Sequence, residues 1–103
     1  MEFKIDTKEK FTTITPLLEN MPANITVNLE NKCRELLDGK IKNVILNFNQ
    51  ILEMDLATAQ AIVKIRMLFY ERNASFVICE LKKNVQQFLD KNEFLETLNF
   101  APT

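Results

Sequence analysis

The residues able to do chemistry in this 103-residue chain are few, and most of them meet in one stretch, EMDLATAQAI at positions 53–62. Asp55 and Thr58 stand three apart just after an apolar run. A carboxylate and a hydroxyl at that spacing fit the N-cap and first turn of a helix. An aspartate in such a place could accept a phosphoryl group, but that chemistry also needs an acidic pair after the first strand and a lysine after the last. Neither is apparent. A phosphate-cradling loop needs several glycines so that backbone N–H groups can approach the anion, and Gly39 is the only glycine. The chain has no histidine, so the commonest general base and the commonest metal ligand are both missing. Cys33 and Cys79 lie far apart, each inside an apolar pattern, which excludes a CxxC redox pair or a zinc cluster and predicts buried thiols. Asp6 with Glu9, and Glu93 with Glu96, fall on expected turns or exposed positions, where solvated charge is the ordinary state. No catalytic residue, metal ligand or cofactor is expected.

Composition narrows the function classes further. Hydrophobic residues make up 47% and charged residues 26%, a globular balance that predicts one folded domain over residues 1–103. The 13 basic and 14 acidic residues are mixed along the chain for a net charge of −1, so no basic stripe exists for nucleic acid or an anionic membrane. Apolar runs such as VILNF and SFVIC fall far below the roughly 20 residues needed to cross a bilayer. The opening MEFKIDTKEK has no signal-peptide apolar region, and a cytoplasmic protein is expected.

The elements that must position EMDLATAQAI are legible as alternation and periodicity. EFKID (2–6) and FTTIT (11–15) alternate around the polar TKEK and predict an antiparallel hairpin. After the connection LLENMPAN, the residues Ile25, Leu29, Cys33, Leu36 and Leu37 recur at helical spacing, with Gly39 as a stop. NVILNF (43–48) predicts a strand buried on both faces in a parallel sheet. Asp55 then caps a helix whose Ala57, Ala61, Ile65, Leu68 and Phe69 form the inward stripe, with Gln60, Lys64, Arg66 and Glu71 outward. The helix should end near Asn73, which tolerates left-handed geometry. SFVICEL (75–81) predicts another buried strand. NVQQFLDKN predicts a short helix capped by Asn84 with Gln87 in the capping box and Val85, Phe88 and Leu89 as its apolar face. ETLNFAP predicts a last extended piece, giving the order ββαβαβαβ with right-handed crossovers onto a mixed sheet.

From Asn43 to Cys79 this pattern of strand, loop, Asp, amphipathic helix, turn and strand resembles the STAS domain, the family of bacterial anti-sigma factor antagonists. The opening MEFKIDTKEKF and the late LETLNFAPT look like short stand-alone bacterial members, so the resemblance covers nearly the whole chain. It implies an α/β fold with a mixed four- to five-stranded sheet and helices packed mainly on one face. The family's core motif reads Asp, a phosphate-accepting Ser or Thr, a small residue, then Gly. Asp55 and Ala57 match, whereas Leu56 occupies the acceptor position and Thr58 stands where Gly is usual. Asn47 stands where the strand often carries Asp, and Asn73 where Gly usually follows the helix.

In relatives that keep the hydroxyl, the resemblance implies a partner switch: the unmodified domain binds a kinase-type anti-sigma factor, and phosphate at the helix N-terminus breaks the complex. Leu56 cannot carry that phosphate. The expectation is a non-enzymatic regulatory protein-binding domain whose contact surface comprises Met54, Asp55, Leu56, Thr58 and Gln60, with the MPAN loop (21–24) beside it. Thr58 offers a displaced phosphorylation site in the first helical turn; alternatively its hydroxyl bonds locally to backbone. Leu56 is either an exposed contact or a residue folded onto its own helix. The rival expectation is an accessory subunit that holds the ATPase of a lipid-transporting ABC system, and a third is a silent paralogue that pairs with a phosphorylatable sister. Apolar surface near Phe94, Leu98 and Phe100 makes a homodimer a further expectation, against a terminal segment that folds over its own core.

Overall fold

Alternation in the first sixteen residues produces a hairpin in the computed structural model, which describes residues 2–94. Strand β1 (Phe3–Thr7) runs antiparallel to β2 (Thr12–Pro16), with Ile5 opposite Ile14 and Thr7 opposite Thr12. The Lys8 N–H closes the turn on the Phe11 carbonyl at 2.8 Å. Next come α1 (Ala23–Leu37), β3 (Val44–Asn47), α2 (Leu56–Glu71), β4 (Phe76–Cys79) and α3 (Lys83–Lys91). The sheet order is β1-β2-β3-β4, and β3 pairs parallel with both neighbours, so the sheet is mixed as expected. The strand expected in ETLNFAP lies outside the described residues, as do Leu98 and Phe100.

Register lines up one apolar row across the sheet. Ile14 pairs with Leu46 and Leu46 with Ile78, and all three are buried. The helices α1 and α2 each join neighbouring parallel strands and touch one another, which places both on one face. Apolar residues every fourth position of α1, Ile25, Leu29, Cys33 and Leu37, turn a single stripe to that core. The ring of Phe69 from α2 meets Phe76 of β4 at 5.0 Å between centroids. The β3 strand is fully buried on one face only, through Val44 and Leu46, while Ile45 and Asn47 are half-buried. Both cysteines are free and buried, as expected. Burial, with the Glu30 carboxylate adding, pushes the Cys33 thiol up to about 12; burial followed by Glu80 raises Cys79. A thiol held protonated is a poor nucleophile.

Helix ends follow local chemistry, and two expectations need correction. Asn73 has φ 56°, and the bonds from its N–H to the Tyr70 carbonyl and from Ala74 to Phe69 make the left-handed stop anticipated for α2. Gly39 plays no such part, since no glycine has positive φ; α1 ends as the N–H groups of Asp38 and Gly39 tighten onto the Glu35 and Leu36 carbonyls. Asn84 is not the cap of α3. The helix starts one residue before it, with Lys82 at the N-cap and no side-chain bond, so Gln87 falls outside the capping-box position. Val85 and Leu89 are nonetheless buried, and Phe88 and Phe94 pack against the core from half-buried positions.

The inward stripe of α2 is also rotated from the expected one. Thr58, Ala59, Ile62, Ile65 and Phe69 are buried, Ala61 and Leu68 are half-buried, and Ala57 is exposed. The sequence pattern was ambiguous because apolar residues occupy both sides of this helix.

Candidate functional site

The segment between β3 and α2 is shaped by buried anchors and backbone bonds. The Phe48 N–H extends the parallel ladder to the Cys79 carbonyl at 3.0 Å, and the Asn47 side chain accepts the Asn49 N–H at 2.9 Å. Phe48 and Ile51 are both buried and fix the turn to the core. The Leu52 and Glu53 N–H groups then donate to one acceptor, the Glu19 carbonyl, at 2.8 and 3.1 Å. The residues before α2 are thereby bonded to those before α1.

Asp55 caps α2 as its sequence position predicts. Its carboxylate accepts the Thr58 N–H at 2.7 Å, which satisfies an otherwise orphaned donor of the first turn. That bond favours the charged form and holds the Asp55 carboxyl below its ordinary value. The Thr58 hydroxyl donates to the Met21 carbonyl at 2.8 Å, a partner distant in sequence rather than a local one. Asn20, Met21 and Pro22 on one side, and Glu53, Met54, Asp55 and Thr58 on the other, enclose an open recess of about 270 Å³.

Met54, Asp55 and Thr58 therefore share one recess, and the expected loop at 21–24 contributes Met21 and Pro22 to it. Leu56 is the first residue of α2 and is 48% exposed, so it does not fold back onto its helix. Gln60 is exposed one turn further on. Thr58 is no surface contact: it is 4% exposed, and modifying its hydroxyl would require breaking the bond to Met21 and opening the first turn. Asn20 and Glu53 also line the recess. Only the tertiary fold brings Asn20 there, and Glu53 reads in the sequence as an ordinary solvated charge.

Chemically, the site joins acidic groups to apolar surface. Glu53 and Asp55 put two exposed carboxylates on its rim, and neither makes a salt bridge among the described residues. Among the described residues no group of three His, Cys, Asp or Glu could hold a metal ion, and no helix is long and apolar enough to cross a membrane.

The family model of the STAS domain matches residues 6–103. The chain belongs to the STAS domain family. Solved structures share its STAS fold at low identity. A Thermotoga maritima protein assigned as an anti-sigma factor antagonist is 13% identical, with a TM-score of 0.83 over 98% of this chain and 86% of that one. The anti-sigma factor antagonist SpoIIAA in its unphosphorylated form is 12% identical, with a TM-score of 0.77 over 97% of this chain and 88% of its own. The murine anion transporter Slc26a9 contains a similar part: 11% identity and a TM-score of 0.72 over 95% of this chain but 17% of the transporter. No curated protein sequence matches the chain. Within the STAS frame, Leu56 stands at the start of α2 beside the Asp55 cap.

Proposed function

We propose that the chain is a non-enzymatic, cytoplasmic regulatory domain that binds a kinase-type anti-sigma factor and lacks the phosphate switch of its relatives. The observation that carries this reading is Leu56, half-exposed at the first residue of α2 and next in sequence to Asp55, which lines an acidic recess. An apolar side chain there favours contact with a protein surface and gives a kinase nothing to modify. SpoIIAA has been solved in both unphosphorylated and phosphorylated forms. A phosphate adds about −1.5 to −2 charges, which on a rim already holding Glu53 and Asp55 would repel an acidic partner and reorganise any other. In this chain Met54, Asp55, Leu56 and Gln60 form the contact, while buried Thr58 holds the first turn beneath them. The reading needs no cofactor.

The test is calorimetric titration of the purified kinase-type anti-sigma factor from the same host against wild type and Leu56→Glu. The variant should bind at least about tenfold more weakly with an unchanged melting temperature, since a charge replaces an apolar contact at an exposed position. Equal affinity overturns the assignment. One observation favours a second reading: the same fold forms part of an anion transporter. In that reading the domain is an accessory subunit that holds the ATPase of a lipid-transporting ABC system, and co-purification with that ATPase in place of the anti-sigma factor would establish it.

A further inference from the structure

The first strand is charged in a pattern that complements its own reverse. Around Ile5 the residues Glu2, Lys4, Asp6 and Lys8 run minus, plus, minus, plus, so reversing the segment sets each charge against its opposite. Strand β1 is an edge of the sheet among the described residues, since only β2 pairs with it. Its backbone groups are divided between two sides. The Glu2 carbonyl accepts the Leu17 N–H at 2.9 Å and the Lys8 N–H donates to the Phe11 carbonyl at 2.8 Å, so the even-numbered residues bond to β2. By the alternation of an antiparallel ladder, Phe3, Ile5 and Thr7 aim their N–H and C=O groups outward. Ile5 is 40% exposed on the face it shares with buried Ile14, whereas Lys4 and Asp6 are exposed on the other face, opposite Thr15 and Thr13.

We propose that the free edge of β1 pairs antiparallel with β1 of a second copy about a two-fold axis at Ile5, joining two four-stranded sheets into one of eight strands. The pairing is independent of the partner-binding reading above and uses neither the recess nor α2. In that register Ile5 faces its counterpart and Phe3 faces Thr7 of the second copy, and about six backbone hydrogen bonds form from the groups that point outward. Lys4 then lies across from Asp6 of the second copy, and Asp6 across from its Lys4, in the closer positions on the face away from the helices. Glu2 and Lys8 oppose one another beyond them. Charge also rejects the neighbouring registers. Moving the axis to Lys4 sets Lys4 against its counterpart and Glu2 against Asp6; moving it to Asp6 sets Asp6 against its counterpart and Lys4 against Lys8. A charged side chain on an edge strand ordinarily guards against such pairing, but here each charge is answered by its opposite on the second copy. The competing bonds within one chain, Lys8 to Asp6 at 3.3 Å and Asn28 to Glu2 at 2.8 Å, are solvent-exposed and weak. A single strand pair is smaller than a standard interface, so dimerisation is concentration-dependent.

The experiment is sedimentation equilibrium over a concentration series on wild type, Lys4→Glu, Asp6→Lys and an equimolar mixture of the two variants, with the melting temperature of each protein as the check on folding. Wild type should self-associate. Each variant alone sets like charges across the seam twice and should dimerise at least about tenfold more weakly. The mixture should recover wild-type association, because the two substituted positions meet as one opposite-charge pair and native Asp6 meets native Lys4 at the other. Oxidative cross-linking reads the register. Ile5→Cys should link to its counterpart, since facing Cα atoms about 5.5 Å apart suit a disulfide, whereas Thr7→Cys, about 13 Å from its own counterpart, should not. The native Cys33 and Cys79 are buried, which leaves the introduced thiol as the reactive one. A wild type that stays monomeric at every concentration overturns the proposal, as does a dimer indifferent to both charge variants or a mixture no better associated than its components. Cross-linking of Thr7→Cys in preference to Ile5→Cys overturns the two-fold at Ile5.

Discussion

Two helices of this domain leave neighbouring parallel strands, and the two departures are built differently. The path from β3 to α2, residues 48–55, is long; it turns on buried Phe48 and Ile51 and ends in a carboxylate cap. The path from β4 to α3, residues 80–82, is short, and it turns by placing Glu80 at φ 59° before an uncapped helix start at Lys82. A short connection must take its bend from one backbone torsion, and a side chain in the left-handed region costs about 1–2 kcal/mol. A long one can take the bend from core anchors and satisfy the helix N-terminus with Asp55, leaving the next residue free to face solvent. Leu56 is exposed because its neighbours already hold the junction. The two paths are also joined, since the Asn84 side chain donates to the Leu52 carbonyl.

The comparison can be broken most forcefully at Thr58. Replacing it with Val keeps the shape and removes the bond to the Met21 carbonyl, which should cost about 1–3 kcal/mol in urea unfolding because a buried acceptor loses its partner. Asp55→Ala should cost about 1 kcal/mol at neutral pH. Because the folded-state pKa of Asp55 is depressed, its contribution is complete above the unfolded carboxyl pKa, about 3.9, and is lost as pH falls through the lower folded value. Wild type and Asp55→Ala should therefore converge in stability in strong acid; a gap that persists there would reject the cap. Relief of the αL strain by Glu80→Gly should raise stability by up to about 1 kcal/mol, the left-handed penalty less the entropy cost of glycine. The smallest effect sharpens the comparison: Lys82→Asp supplies the missing cap to α3, whose N-cap backbone is already extended, and should add roughly 0.5–1 kcal/mol. An unchanged melting curve would mean that α3 draws nothing from its N-terminus.

Local chemistry explains which features could be read from the sequence. Asp55 as cap, Asn73 as left-handed stop and the four-residue spacing of Ile25, Leu29, Cys33 and Leu37 depend on neighbours within a turn or two, so they are visible in the residues themselves. The phase of α2 was not, because Ala57 and Ala61 fit either side of a helix and the exposed Leu56, Met67 and Tyr70 compete with the true core stripe. Asn84 reads as a cap locally, yet its side chain has a partner on another loop that no spacing rule announces. The same holds for Thr58: its type suggests local bonding or modification, whereas Met21 claims its hydroxyl across the fold. Of the site, Asp55 was legible as a match to the STAS motif and Leu56 as a departure from it, while Asn20 had no signal in the sequence.

The Glu19 carbonyl holds the Leu52 and Glu53 amides while the Met21 carbonyl holds Thr58. Those three bonds rivet the two loops into one bracket. A force applied at Leu56 is shared with the start of α1 through those bonds, so this corner of the domain resists deformation as one unit. An insertion in either loop would slacken both helices together.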